Sequence, residues 1–458
     1  MCSMIFYKMS LLMKQSIIRL VLTISIIIIF LGIHNILPAN EKNGSLPALR
    51  IPDTSFNGDG TVIYRNAYEG IDGNDGANAL VLQNDGKIVI TGWSTNDYIE
   101  HMAVWRYNID GTLDKTFNKI GYALHNNAAS GKGHDVGEDL LIQSDGKIVV
   151  TGNSFNGSNY DMVIWRYNKN GTLDKTFNKT GYAVHNNAAG GSSCNDYGVA
   201  LGIQSDHKIV VAGKSDDHLT IWRYSQNGTP DKTFGTNGFI VYRTSYHELA
   251  SYDIGNALSI QSDGKIVVAG STCKGGVCYM AIWRFNKNGD LDKSFAASGI
   301  VEHDNGYKKS FGQDLSIQPD GKIVVTGGCH NINRDEDMTI WRYNKNGSPD
   351  KTFGNNGIAI YDGSSWKTNN DESGDALFIQ DDGKIVVCGI SNKDMAIWRY
   401  NPDGTPDTKF SQEGIVVHKN ALDIDNGRDL VIQSNGKIVI AGDRHSGSNY
   451  DMVIWRYK

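Results

Sequence analysis

The chain of 458 residues is poor in proline and cysteine, with 8 Pro and 6 Cys against 52 Gly. Six cysteines are too few for a disulfide framework in a chain of this length. The positive charge of a nucleic-acid-binding protein is also missing, since the formal net charge is −6. The abundance of glycine, asparagine and aspartate instead indicates many turns between short strands.

Long apolar runs are absent apart from one, at residues 20–33. This run is short for a membrane span and follows three basic residues, which is the layout of a secretory signal. We predict that residues 1–39 are a signal peptide or, alternatively, an uncleaved signal anchor, and that 40–50 are a short linker. Removing three positive charges changes the net charge from −6 to −9. The expected location is secreted, periplasmic or at the cell surface.

Five cysteines follow this segment, an odd and widely spaced set. Cys273 and Cys278 enclose a Lys-Gly-Gly-Val loop and can pair in an oxidising compartment. Two free thiols are the alternative. A zinc site is not expected, because no second pair of Cys or His residues follows at a suitable spacing.

Three sequence blocks recur seven times, and such repetition decides the fold. The first block, close to Gln-x-Asp-Gly-Lys-Ile-Val, begins at Gln83, Gln143, Gln204, Gln261, Gln318, Gln380 and Gln433. The second, Trp-Arg-Tyr or once Trp-Arg-Phe, begins at Trp105, Trp165, Trp222, Trp283, Trp341, Trp398 and Trp455. The third, Asp-x-x-Phe, begins at Asp53, Asp114, Asp174, Asp231, Asp292, Asp350 and Asp407.

Each repeat predicts four short strands. In the second copy they are expected at 139–143, 147–151, 162–167 and 181–185. Between the first two, Asp145 and Gly146 are expected to form a type I′ turn with positive φ at both residues. His207 replaces the turn glycine in the third copy, where a non-glycine residue is strained. The nearly continuous apolar runs predict sheets that are covered on both faces, as the blades of a propeller are.

The two ends of the chain are complementary parts of one repeat. The seventh Trp-Arg-Tyr is followed only by Lys458, whereas residues 53–64 supply an Asp-x-x-Phe block and a fourth strand before the first repeat. We therefore predict an all-β, seven-bladed β-propeller of four-stranded antiparallel blades at residues 51–458. In it, residues 51–65 complete the seventh blade, so that the ring has no open edge.

The three blocks in this order, Leu-x-Ile-Gln-x-Asp-Gly-Lys-Ile-Val-Val, Trp-Arg-Tyr-Asn-x-Asn/Asp-Gly and Thr-Leu/Pro-Asp-x-Thr-Phe-Gly, resemble the bacterial delta-60 repeat proteins. The resemblance covers residues 51–458. It implies an exported or surface-associated bacterial protein with a propeller-like fold. It implies no activity, substrate or catalytic residue.

The seven Trp-Arg arginines are expected to be structural, because a catalytic site needs residues that differ among the copies. We expect their partners to be the acids of an Asp-x-Gly pattern before each first strand. These acids are Asp75, Asp135, Asp196, Asp253, Glu372 and Asp425, with Ser310 at the seventh position. A ring of six carboxylates is alternatively a site for a cation such as calcium. The favoured interpretation is that each acid caps its loop or meets an arginine, so that no cofactor is required.

Residues that differ among the copies are frequent in the loops between the fourth strand of one blade and the first of the next. Exposed aromatic and charged side chains there are suited to a sugar ring or a peptide. The predicted ligand-binding residues are Tyr68, Glu69, Tyr246, His247, Glu248, Tyr252, Tyr307, Trp366 and Lys367.

Linear catalytic motifs are missing from the sequence, so we expect a protein that is not an enzyme. The favoured function is an exported binding module that takes a glycan or protein partner on its inter-blade loops. The alternatives are a purely structural surface protein and a sialidase-like propeller hydrolase. Nucleic acid is not an expected partner, and a membrane is expected only through the N-terminal segment.

Overall fold

The computed structural model describes a propeller within residues 51–458. The described residues are 51–65, 67, 73–96, 99–131, 133–191, 193–243, 251–304, 309–331, 335–363, 371–419, 424–447 and 449–458. They form 28 strands in seven four-stranded antiparallel sheets. None of their helices is long and apolar enough to span a membrane.

Blades 1 to 4 each use four consecutive strands. Blade 1 contains β2 (Asp75–Leu82), β3 (Ile88–Asn96), β4 (Ile99–Tyr107) and β5 (Tyr122–His125). Blade 2 contains β6 (Asp135–Ile142), β7 (Ile148–Phe155), β8 (Tyr160–Tyr167) and β9 (Tyr182–His185). Blade 3 contains β10 (Asp196–Ile203), β11 (Ile209–Ser215), β12 (His218–Tyr224) and β13 (Phe239–Val241). Blade 4 contains β14 (Tyr252–Ile260), β15 (Ile266–Lys274), β16 (Val277–Phe285) and β17 (Ile300–His303).

Blades 5 to 7 complete the ring. Blade 5 contains β18 (Ser310–Ile317), β19 (Ile323–His330), β20 (Glu336–Tyr343) and β21 (Ile358–Tyr361). Blade 6 contains β22 (Glu372–Ile379), β23 (Ile385–Ser391), β24 (Asp394–Tyr400) and β25 (Ile415–His418). Blade 7 contains β26 (Ile424–Ile432), β27 (Ile438–Ser446), β28 (Asn449–Tyr457) and β1 (Thr61–Tyr64). The predicted seven-bladed propeller is confirmed.

Antiparallel connection gives the ring two distinct faces. The turns between first and second strands and the loops between third and fourth strands lie at one end of every blade, which we name the turn face. The remaining connections lie at the other end, the mouth face. The first strand of each blade contacts the first strands of both neighbouring blades, so these seven strands surround the axis.

The hairpin turn differs from the predicted type I′ geometry. In blade 2 only Gly146 has positive φ, at 80°, and its N–H donates to the Gln143 carbonyl while the Gln143 N–H donates to the Lys147 carbonyl. The connection is a type I turn followed by a residue in the left-handed conformation. It is one residue longer than the predicted two-residue type I′ loop and contains a bulge. His207 adopts the same left-handed conformation at φ 64°, as its position in the repeat requires.

The core lies between blades rather than within them. Each repeat tryptophan is at most 1% exposed and contacts the residue at the end of the preceding blade's fourth strand, which in blade 3 is Tyr242, directly after β13. That residue is His or Tyr, and its ring meets the tryptophan edge-on, as in the pairs His185–Trp222 at 6.0 Å and Tyr242–Trp283 at 6.3 Å. Because each blade covers a face of the next, the apolar runs are buried on both sides.

The Trp-Arg arginines bind the acids of the Asp-x-x-Phe block. In blade 1, Arg106 Nε donates to Asp114 Oδ2 at 2.7 Å, and its guanidinium lies 4.7 Å from the centre of the Phe117 ring. Lys87 Nζ donates to the same carboxylate at 3.0 Å. Arg106 Nη1 donates to the Lys169 carbonyl of blade 2 at 2.6 Å. The prediction that these arginines meet the Asp-x-Gly acids is therefore wrong.

All seven arginines make the same pair with their aspartate. The pairs are Arg106–Asp114, Arg166–Asp174, Arg223–Asp231, Arg284–Asp292, Arg342–Asp350, Arg399–Asp407 and Arg456–Asp53. Burial opposes ionisation of Asp174, yet hydrogen bonds from Thr176 and Lys147 and the charge of Arg166 lower its pKa to about 2.

The seventh blade is closed by the start of the chain, as predicted. β1 pairs antiparallel with β28, and Pro52 pairs with Tyr457. Arg456 Nε donates to Asp53 Oδ2 at 2.8 Å across a separation of 403 residues. The guanidinium of Arg456 also lies over Phe56, which is fully buried.

Removal of residues 51–65 should destabilise the ring by about 3–5 kcal/mol, since the core loses Phe56 and the buried Arg456 loses its partner. We expect residues 66–458 to unfold at lower urea concentration than residues 51–458. A synthetic 51–65 peptide should restore the midpoint, and the same peptide with D53A and F56A should not. Unchanged stability after the deletion would show that β1 does not close the ring.

The His residues at the ends of the fourth strands should make the ring sensitive to acid. Burial lowers the pKa of His185 to about 4, from 6.5. The folded state then binds fewer protons than the unfolded chain between these values, so stability is complete above pH 6.5 and falls towards pH 4, by about 2–3 kcal/mol. H185Y copies the residue of blades 3, 5 and 7 and should remove this contribution of His185 in urea unfolding measured across that pH range. H207G, at an exposed turn, is the control and should keep the wild-type pH dependence.

Candidate functional site

The predicted ligand-binding residues lie mostly outside the described residues. This applies to Tyr68, Glu69, Tyr246, His247, Glu248, Tyr307, Trp366 and Lys367. Tyr252 is described and begins β14 on the mouth face, half-buried. Its hydroxyl lies 3.3 Å from the sulfur of Cys278.

The Asp-x-Gly acids hold the loops that enter the first strands. Asp135 Oδ2 lies 2.9 Å from His125 Nδ1 and accepts the N–H of Ala128 at 3.2 Å. Asp196 accepts the N–H of Ala188, and Arg444 Nε donates to Asp425 at 3.0 Å. These contacts join each acid to its own entry loop or blade.

All six of these acids are at most 1% exposed. They are Asp75, Asp135, Asp196, Asp253, Glu372 and Asp425. Burial raises the pKa of Asp196 to about 6 and that of Glu372 to about 7. Within the described ranges no group of three or more acids, histidines and cysteines is arranged to hold a metal ion. Calcium binding by this ring was the less favoured hypothesis, and a calcium titration is its test.

An axial cavity of about 300 Å³ is lined by all seven first strands. Each of these strands carries a β-bulge at the cavity, where one residue has no partner on the second strand. The bulged residues are Asn78, Glu138, Val199, Asn256, Gln313, Asp375 and Arg428. These seven positions hold six different residue types, with Asn in blades 1 and 4, so they break the symmetry of the ring, which is the property expected of a site that acts once.

Three aspartates next to the bulges have a structural role. Asp139, in blade 2, accepts the N–H of Leu140 and that of Leu201 in blade 3, both at 2.7 Å. Asp314 and Asp429 make the equivalent pair of bonds from blades 5 and 7. Each carboxyl therefore joins two neighbouring first strands. Burial raises the pKa of Asp139 to about 7.

Glu138 is the bulged acid of blade 2 and is oriented by two amides. Asn78 Nδ2 donates to one of its oxygens and Asn153 Nδ2 to the other, both at 3.2 Å. Burial, assisted by the charge of Glu100, raises its pKa to about 7 despite the hydrogen bond from Asn153. A carboxyl group with this pKa is protonated in a substantial fraction of molecules at neutral pH, which suits it to donating a proton.

Blade 7 supplies a cation to the axial cavity. Arg428 Nε donates to Asp443 at 3.0 Å, and its Nη1 lies 3.8 Å from Asp375. Burial raises the pKa of Asp375 to about 6, although Arg428 favours its charged form. The arginine side chain remains 44% exposed and so can contact a ligand in the cavity.

A side pocket of about 270 Å³ adjoins the axial cavity between blades 4 and 5. Asn256 and Gln313 line both spaces, and their amides are joined at 3.0 Å. The other walls are Tyr252, Ile254, Ser271, Cys278, Lys309 and Phe311. The pocket thus presents aromatic rings, amides, hydroxyls and one ammonium group.

A disulfide fixes one wall of this pocket. Cys273 and Cys278 face each other across the β15–β16 hairpin and are bonded. Cys278 also pairs with Lys309 of blade 5, so the hairpin end is held to the next blade. Lys309 Nζ lies 5.6 Å from the centre of the Phe311 ring.

Further aromatic residues lie near the mouth-face ends of their strands. Trp93 lies over Gly76, where a side chain would collide with the indole, and meets Tyr450 edge-on at 6.3 Å. Tyr160 and Tyr197 are stacked at 5.5 Å in blades 2 and 3. Tyr197 lies two residues before the bulge at Val199, as Phe311 does before Gln313.

The bulged positions were missed in the sequence, although a signal for them exists. They are the residues that follow Asp-x-Gly, or Asp-Gly-Ala in blade 1, and they vary between Asn, Glu, Val, Gln, Asp and Arg while the flanking residues repeat. The sequence pattern does not reveal a bulge, which turns this variable position towards the axis.

The family of the chain follows from the seven repeats. A family model described as a domain of unknown function (DUF5122) beta-propeller matches at residues 83–117, 143–177, 204–234, 261–295, 318–353, 380–410 and 433–458. The chain belongs to this family. The narrower delta-60 designation remains a resemblance. Among curated proteins, no relative was found.

Several solved propellers are similar to this chain. A polysaccharide lyase described as a PL25 ulvan lyase has a TM-score of 0.48 at 11% identity, covering 81% of this chain and 90% of the lyase. The Trypanosoma rangeli sialidase has a TM-score of 0.40 at 8% identity, covering 90% and 58%. A Dyadobacter fermentans protein of unknown function has a TM-score of 0.39 at 11%, covering 87% and 97%. At these identities the likeness concerns the fold alone.

The expectation that this chain is not an enzyme was wrongly drawn from missing linear motifs. The fold that the chain shares with propellers described as polysaccharide lyases and a sialidase carries enzymes as well. Propellers assemble their sites from residues on separate blades, so a missing linear motif does not exclude catalysis.

The pKa of Glu138 should appear as a pH dependence of stability. The folded state binds more protons than the unfolded chain between pH 4.5 and 7, so stability falls as the pH rises through that window. E138Q removes the charge and should stabilise the propeller by about 1–2 kcal/mol at pH 8 and by nearly nothing at pH 4.5. Urea unfolding at both pH values measures this. E413Q, on the exposed turn face, is the control and should leave the free energy of unfolding unchanged at both pH values. Equal effects of E138Q at pH 8 and pH 4.5 would show that Glu138 does not have a raised pKa.

Proposed function

We propose that the chain is an exported carbohydrate-binding propeller that takes a glycan at the mouth of its axial cavity. The observation that carries this proposal is the pair of adjoining cavities, whose walls differ from blade to blade in an otherwise repetitive ring. The repeated residues form the scaffold of the ring. The residues that differ among the blades at the axis form a single asymmetric site.

The chemistry of the walls fits a sugar. Sugar rings present apolar faces that stack on aromatic side chains, and hydroxyls that bond to amides and carboxyls. The side pocket offers Phe311 and Tyr252 beside the amides of Asn256 and Gln313. Glu138 and Arg428 continue the polar lining into the axial cavity.

Two features support export. The N-terminal segment has the layout of a secretory signal. The Cys273–Cys278 disulfide belongs in an oxidising compartment. Both agree with a ligand met outside the cell.

A second candidate function is cleavage of the bound glycan, with Glu138 as proton donor to the leaving oxygen. It is favoured by the position of this carboxyl group in the cavity, held by Asn78 and Asn153, together with its pKa of about 7. Binding does not depend on this second function.

A glycan array with residues 40–458, followed by calorimetric titration of the strongest oligosaccharide, tests the proposal. F311A should weaken binding roughly tenfold, because an aromatic stacking surface is lost. K287Q, on the turn face, is the control and should bind as wild type does. Absence of saturable binding to any glycan would overturn the proposal in favour of a structural scaffold or a peptide-binding module.

Turnover is measured separately, as new reducing ends released from the bound oligosaccharide. Cleavage that is lost in E138Q while affinity is kept supports the second function. Binding without cleavage in the wild-type protein rejects the second function and leaves the first intact.

A further inference from the structure

Three exposed isoleucines lie on the turn face, in the neighbouring blades 7 and 1. Ile51 and Ile109 are each 52% exposed and Ile120 is 47% exposed. Ile109 and Ile120 belong to the loop between β4 and β5, and Ile51 is bonded through its carbonyl to the N–H of Lys458 at 3.3 Å. Arg456 donates both to the Ile109 carbonyl and to Asp53. The loop between β4 and β5 and the segment that begins at Ile51 therefore both contact this arginine.

The apolar side chains of this loop are a departure from the repeat. The position of Ile109 holds Lys169, Gln226, Lys287, Lys345 and Pro402 in the other copies. The position of Ile120 holds Thr180, Asn237, Ser298, Asn356, Glu413 and Asp59. The ring therefore folds with polar residues at most of these positions, and packing does not explain two isoleucines there.

Lysines are frequent in the loop that carries Ile109 and Ile120 and in the neighbouring loop of blade 2. Loops 108–121 and 168–181 are neighbours, joined by the Asn118 N–H to the Asn170 carbonyl at 2.6 Å. They carry five exposed lysines against one exposed carboxylate, that of Asp110, because Asp114 and Asp174 are buried against arginines. The lysines are Lys115, Lys119, Lys169, Lys175 and Lys179.

The chain enters the propeller on this face. Ile51 is the first described residue and lies at the turn-face end of blade 7, and the apolar run at 20–33 ends 18 residues before it in sequence. Exposed isoleucines beside several exposed lysines are suited to binding the interface of an anionic bilayer.

We propose that this sector, consisting of Ile51, Ile109, Ile120 and the five lysines of loops 108–121 and 168–181, docks on an anionic phospholipid membrane. The ring then lies with its turn face on the bilayer and its mouth face directed away from it. This docking does not depend on the glycan proposal, since it uses the opposite face.

Vesicle co-sedimentation of residues 40–458 tests the docking without the apolar run. The propeller closes on itself within 51–458, so this part folds independently of residues 1–39. We expect it to bind vesicles that contain phosphatidylglycerol, not vesicles of phosphatidylcholine alone, and to dissociate as salt is raised. Failure to bind phosphatidylglycerol vesicles at low salt would overturn the proposal.

Substitutions copied from other repeats separate the two contributions without disturbing the fold. I109Q/I120T uses residues of blades 3 and 2 and should weaken binding roughly tenfold. K119A/K179A uses the residue of blade 4, Ala297, which has the same left-handed backbone, and should weaken binding roughly 20-fold.

The matched control is K287Q/K345Q, which removes two lysines from the same face in blades 4 and 5. It should bind vesicles as the wild-type protein does. If it weakens binding as much as K119A/K179A, or if I109Q/I120T has no effect, the sector is not a docking site. Thermal unfolding of each variant at the wild-type temperature confirms that the ring is intact.

Discussion

The arginine that follows each repeat tryptophan holds the ring together. Its Nε bonds an aspartate of the same blade, its guanidinium covers a buried phenylalanine, and in six of the seven copies Nη1 reaches a carbonyl of the next blade. In blade 1, burial opposes ionisation of Asp114, yet hydrogen bonds from Thr116 and Lys87 and the charge of Arg106 hold the pKa of this aspartate well below its usual range. A buried ion pair stabilises only when its remaining bonding groups are satisfied, as those of Arg106 are. In these six copies one network therefore joins a blade to the next.

The residues at the axis can vary because they are not part of the arginine and tryptophan contacts between blades. The arginine–aspartate networks lie at the turn-face ends of the third strands, and the tryptophans fill the space between blades. Neither set of contacts depends on the identity of the bulged residues. The bulges place one unpaired residue of every first strand at the axis, where side chains of six different types line the cavity. Asp139, Asp314 and Asp429 add bonds between neighbouring first strands, so the axis also contributes to the frame.

The sequence alone was sufficient for the blade count, the four-stranded blades and the closing role of residues 51–65, because periodic blocks and complementary ends determine a ring. The partners of the arginines could not be predicted, because the Asp-x-x-Phe acids and the Asp-x-Gly acids recur with the same period. Only the folded structure shows that Arg106 binds Asp114 and not Asp75. The hairpin turn was misassigned as well, because Asp-Gly is compatible with more than one turn type. The axial site could not be predicted from the sequence, because its variable positions lie within strands and a bulge, which turns them towards the axis, has no clear sequence signature.

The most direct test of a ligand site at the axis is hydrogen–deuterium exchange of the propeller with and without a saturating oligosaccharide. We expect added protection in β14 and β18, which line both cavities, and in β6, which carries Glu138. Protection confined to the turn face, or none at all under saturation, would contradict it.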